Sequence, residues 1–106
     1  MTPNQPGTPT SAPRPAATGR VVLVNDDPIQ LRIAAAILEK DGLCVASCRG
    51  AEEALRLMQQ QGPPDVVVTD LNMPGIDGWR FCKLMRSPEY PALNDVPVLV
   101  VSATFS

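Results

Sequence analysis

Val66-Val67-Val68-Thr69-Asp70-Leu71-Asn72-Met73-Pro74-Gly75-Ile76-Asp77-Gly78-Trp79 is the stretch on which the reading of this chain turns. Its first four residues are all β-branched, and an unbroken run of that kind marks a strand buried on both faces. The strand is predicted over Asp65 to Thr69 and ends at Asp70. Pro74 and Gly75 make the next residues a loop. Asp77 to Arg86 then reads as a helix, with Phe81, Leu84 and Met85 apolar.

Working upstream, Val21 to Val24 is a second continuous β-branched and aliphatic run, closed by Asn25-Asp26-Asp27-Pro28. Asp27 suits a helix cap and Pro28 the first helical position. The helix that follows carries Leu31, Ala34, Ala35 and Leu38 at core-facing spacing and stops at Asp41-Gly42. A short strand is predicted from Leu43 to Ser47. A second helix runs from Ala51 to Gln61, with Ala54, Leu55 and Met58 on one face and Gly62-Pro63 beyond it. Downstream, Val96 to Val101 is a fourth strand, followed by Ser102 and Ala103. The order β-α-β-α-β-α-β with apolar strands predicts an α/β fold: a doubly wound parallel sheet with helices on both faces.

The first part of the chain is different. Residues 1–19 are mainly Pro, Thr, Ala and Gly, with almost no large apolar side chain. Such a segment buries too little surface to offset its ordering entropy, so a disordered Pro-rich tail is expected there and a single domain over 20–106.

Bulk composition narrows the function. Net charge is −2 and no basic block stands out, which argues against direct nucleic-acid binding. Histidine is absent, which removes imidazole acid–base chemistry and most zinc sites. Three cysteines without a CxxC pair fit a reducing compartment and buried apolar roles. The apolar runs are too short to span a bilayer, so a cytoplasmic protein without membrane contact is expected.

In an open parallel sheet, ligands gather beyond the carboxyl ends of the strands where the strand order reverses. Asn25, Asp26 and Asp27 follow strand one, Asp70 ends strand three and Ser102 follows strand four. Crowded carboxylates repel, and a hard divalent cation relieves the repulsion. Magnesium suits one or two carboxylates plus a phosphate. A carboxylate beside it can attack a phosphoryl group. Asp70 is the candidate nucleophile and Asp26 a metal ligand. Asn72 can offer its backbone carbonyl to the metal, and Ser102 its hydroxyl to a phosphoryl oxygen. The plain alternative is that acids at strand ends only cap helices or face solvent, and for Asp27 the cap is the favoured role.

With these pieces in place, the chain resembles the receiver domains of response regulators and hybrid histidine kinases. The resemblance rests on VVLVNDDP (Val21 to Pro28), VVVTDLNMPGIDGW (Val66 to Trp79) and VPVLVVSA (Val96 to Ala103). It implies a flavodoxin-like sheet and a phosphorelay module, not an enzyme. The implied roles are phosphorylation on Asp70, Mg2+ held by Asp26, Asp70 and the Asn72 carbonyl, and Ser102 as a switch hydroxyl beside the small Ala103. The implied partner is a histidine kinase or phosphotransfer protein.

Two departures qualify it. The family has two acids after strand one, and here Asn25 takes the first place, where it would be a weak metal ligand. The family also continues with a fourth helix, a fifth strand ending in lysine and proline, and a fifth helix. The chain is therefore expected to hold an incomplete receiver of four strands and three helices, with strand four an open edge prone to self-association. A truncated or degenerate receiver acting as a phosphorylation-independent interaction module is the alternative function. A phosphohydrolase of the haloacid-dehalogenase type is disfavoured, because such enzymes place a second acid where Asn72 stands.

Overall fold

The computed structural model describes residues 19–102. The expected tail and Ala103 lie outside them, apart from Gly19. Four strands, β1 (Arg20–Val24), β2 (Cys44–Cys48), β3 (Val66–Asp70) and β4 (Val98–Val101), alternate with three helices, α1 (Pro28–Lys40), α2 (Ala51–Gln61) and α3 (Gly78–Met85). A 3-10 turn, Pro91–Leu93, precedes β4. The strands form one parallel sheet in the order β2-β1-β3-β4. This is the flavodoxin-like arrangement in incomplete form, and β1 and β3 lie side by side at its centre.

Side-chain alternation divides the sheet between two layers. Val22, Val24 and Val67 enter a buried cluster with Ala54, Leu55 and Met58 of α2 and Phe81 and Met85 of α3. Leu31 of α1 is buried, while Ala34, Ala35 and Leu38 are half-buried. A groove of about 290 Å3 runs between Ile33, Ala34 and Ile37 of α1 and the sheet residues Leu23, Val68 and Val101. Helix α1 is apolar on two sides, because Ile29, Ile33 and Ile37 form a second, exposed row. Leu99 and Val101 of β4 are exposed as well.

Several boundaries differ from the sequence reading for identifiable reasons. Strand β2 starts at Cys44, whose N–H opens the ladder on the Gly19 carbonyl, whereas the Leu43 N–H still closes α1 on Leu38. Strand β3 ends at Asp70 as read, paired with Val101, but starts at Val66, one residue later than expected. Strand β4 starts two residues later than expected. Pro97 has no N–H to donate, and Val96 still bonds back to Leu93. Asp77 and Arg86 are caps of α3 and not part of it. Cys48 is buried, but Cys44 is exposed and Cys82 half-buried, so the buried role holds for one thiol of three. No helix among the described residues is long and apolar enough to cross a membrane.

Candidate functional site

The parallel register fixes at which end of the sheet the acids lie. Val24 is level with Thr69, so Asp70 lies one residue and Asp26 two residues past the same rung. Both therefore sit at the carboxyl end of the two central strands. On the other side Asp70 pairs with Val101, and the Leu71 N–H donates to the Val101 carbonyl at 2.7 Å, which sets Ser102 at the same end.

Asp70 is 7% exposed, and its Oδ1 is buried without a hydrogen-bond partner among the described residues. An anionic oxygen withdrawn from water and left unpaired is costly unless something charged meets it. Thr69, fully buried beside it, donates its hydroxyl to the Asp70 carbonyl at 3.0 Å and so braces the backbone, not the carboxylate.

The β1–α1 loop is built by the residues on either side of Asp26. Asn25 Oδ1 accepts from the Asp27 N–H at 2.9 Å, and its Nδ2 donates to Gln30 Oε1 at 3.1 Å. Asp27 caps α1, accepting from the Ile29 N–H at 2.9 Å and the Gln30 N–H at 3.3 Å. The favoured reading of Asp27 as a cap is thus what the loop contains. Asn25 spends its one side-chain oxygen on the turn. Asp26, half-buried between them, engages its backbone carbonyl, which accepts from Arg49 Nε at 3.2 Å.

The loop after Asp70 is anchored by burial of Met73, while Asn72 is exposed. Gly75 turns the chain at φ +79°, a conformation that favours glycine. The Gly78 N–H donates to the Leu71 carbonyl at 2.9 Å, closing the loop onto the start of α3. Asp77 caps that helix by accepting from the Arg80 N–H at 2.9 Å.

This donor set fits a single hard cation with many waters: one orphaned carboxylate oxygen, a second acid from the adjacent strand and a loop carbonyl. It does not fit a closed all-protein cage, since no group of three or more His, Cys, Asp or Glu that could hold a metal occurs among the described residues. Arg49 is the member of this neighbourhood that the sequence reading missed. Its only local signal was a cation placed between a strand and a helix-opening glycine.

An open parallel sheet in the order β2-β1-β3-β4, with Asp26 and Asp70 at the carboxyl end of its two central strands, is the arrangement of a flavodoxin-like α/β domain. The profile of the response regulator receiver domain matches residues 21–106, and the chain belongs to that family. A two-component response regulator of Arabidopsis thaliana is 38% identical over 85 residues, covering 78% of this chain and 15% of that protein. A probable transcriptional regulator of Guillardia theta is 33% identical over 84 residues, 79% of this chain and 31% of its own length. The chain thus spans less than a third of these curated relatives. Among solved structures, the N-terminal domain of a response regulator receiver protein from Methanoculleus marisnigri JR1 superposes with a TM-score of 0.74 at 29% identity, over 81% of this chain and 68% of that one. The receiver domain of the histidine kinase CKI1 from Arabidopsis thaliana, complexed with Mg2+, gives 0.70 at 30% identity, over 83% and 70%.

Proposed function

We propose that Asp70 accepts a phosphoryl group from a histidine kinase or phosphotransfer protein, in a Mg2+-dependent reaction in the cytoplasm. The observation that carries this is the buried, unpartnered Oδ1 of Asp70 at the end of a central strand. A carboxylate oxygen attacks phosphorus, the phosphorus–nitrogen bond of the donor phosphohistidine breaks, and the leaving imidazole takes a proton from solvent. The product is an acyl phosphate on Asp70. Asp26, Asp70 and the Asn72 carbonyl would hold Mg2+, which neutralises charge on the transferring oxygens when bound. Pairing of Asp70 with Val101 of β4, next to the Thr69–Val24 rung with β1, keeps the nucleophile in place. Ser102 hydrogen-bonds a phosphoryl oxygen and registers its arrival. The module serves as a phospho-acceptor, not as a turnover catalyst, and makes no direct contact with nucleic acid.

Labelling by a small acyl phosphate tests this. A Mg2+-dependent adduct on the protein, absent in Asp70→Asn, is the expected result. Equal labelling of the variant would overturn it.

A second reading is a receiver that works as an interaction module without phosphate. Asn25 favours it, because an amide engaged in the turn replaces a charge that would hold the metal. The open β4 edge, with Leu99 and Val101 exposed, is the surface for self-association under either reading.

A further inference from the structure

We propose that Arg49 is the positioning residue for Asp26, a clamp that holds the β1–α1 loop in its metal-ready form. The inference rests on the phospho-acceptor reading and adds to it a residue outside the three motifs that carry the family resemblance.

Two bonds stitch the β1–α1 loop to the end of β2. The Asn25 N–H donates to the Cys48 carbonyl at 3.1 Å, and the next residue of each segment repeats the contact in the other direction, Arg49 Nε donating to the Asp26 carbonyl at 3.2 Å. Arg49 is itself fixed from behind, because its N–H donates to Glu53 Oε1 at 2.9 Å in the first turn of α2. The chain of contacts therefore runs Glu53, Arg49, Asp26. The side chains of Asn25 and Asp27 shape the loop around Asp26 but do not tie it to another element of the sheet. Arg49 is the side chain that does.

Chemistry decides why an arginine suits the place. The guanidinium is planar and offers its Nε–H side-on to a carbonyl in a fixed geometry. A flexible lysine ammonium has no counterpart to that side-on bond. The charge works in the opposite direction to the clamp. A fixed cation near a Mg2+ ligand weakens metal binding by repulsion, whereas holding the ligand in place strengthens it. The two roles thus predict opposite signs, and the clamp is assigned the larger effect.

The test is a MgCl2 titration of the 106-residue protein followed in two-dimensional 1H–15N spectra at constant ionic strength, for wild type, Arg49→Ala and Arg49→Lys. Amide hydrogen exchange at Asp27 is read in the metal-free protein. Both variants are expected to bind Mg2+ about tenfold more weakly, the lower end of the cost of losing an outer-shell partner. Both should also exchange the Asp27 amide faster. Tighter binding by Arg49→Ala with wild-type binding by Arg49→Lys would mean that only the charge matters, and would overturn the clamp. A lower unfolding midpoint with unchanged Mg2+ affinity would make Arg49 merely structural, and would overturn it too. A wild-type protein that does not respond to Mg2+ at all would instead defeat the phospho-acceptor reading, and the clamp with it.

Discussion

A Cβ built on Gly78 falls 2.6 Å from the carbonyl oxygen of Asp70 and 3.0 Å from the Leu71 Cα. Helix α3 therefore starts in backbone contact with the residue proposed to carry the phosphoryl group. Real Cβ atoms do not approach backbone so closely, and neither partner is a flexible side-chain end. Gly78→Ala is expected to destabilise the fold by about 1–3 kcal/mol, as overpacking does. Urea unfolding measures this. In the folded fraction, acyl-phosphate labelling of Asp70 should also fall, because the strand end has to move. Unchanged stability and labelling would show that the helix start yields freely.

Asp70→Asn removes a buried charge whose Oδ1 has no partner. Without metal the variant is expected to be at least as stable as wild type, because a neutral amide costs less than a carboxylate to leave unpaired in the interior. Added Mg2+ should raise the unfolding midpoint of wild type and leave that of the variant in place, since only a ligand bound to the folded state stabilises it. Thermal unfolding with and without Mg2+ reads both effects. A variant that loses stability in metal-free buffer would count against the site geometry.

Asp27 caps α1 through bonds from the Ile29 and Gln30 N–H groups. Its replacement by alanine is expected to cost about 1 kcal/mol. Chemical denaturation at fixed pH measures this. Labelling should fall less than in Asp26→Ala, because Asp27 caps the helix whereas Asp26 is the proposed metal ligand.

Burial pushes the Cys48 thiol up from 9.0 to about 11, with the Glu53 carboxylate adding to the effect. In the unfolded chain the thiol ionises near its ordinary value, so unfolding releases a proton between the two values. The Cys48 contribution to stability is therefore fully present below pH 9 and is lost as the pH rises toward 11. The unfolding midpoint of wild type should drop across that window, and less so in Cys48→Ala. At pH 8, alkylation should modify exposed Cys44 well before Cys48.

How far the residues announced this structure varies along the chain. Helix α2 was legible to its ends because Gly50 precedes it and Gly62-Pro63 follow it. The central strands were legible because aliphatic runs of that kind need cover on both faces. The last strand began late because Pro97 has no N–H to donate, although its carbonyl accepts from Val67, and the turn at Pro91–Leu93 holds the chain until then. The polar pole of the sheet was legible from the positions of Asp26, Asp70 and Ser102, since parallel strands put all their ends together. The use of Asn25 in a turn, and the contact from Arg49 across 23 residues to Asp26, were not. No local pattern encodes a bond whose partners are brought together only when the sheet forms.

The row Ile29, Ile33, Ile37 has a practical corollary, as their exposures are 70%, 56% and 60%. Attraction between such greasy ridges fades in the cold, because the water-driven force behind it weakens on chilling. A sample that clouds on the warm bench should clear on ice, and temperature becomes the handle by which it is kept dispersed.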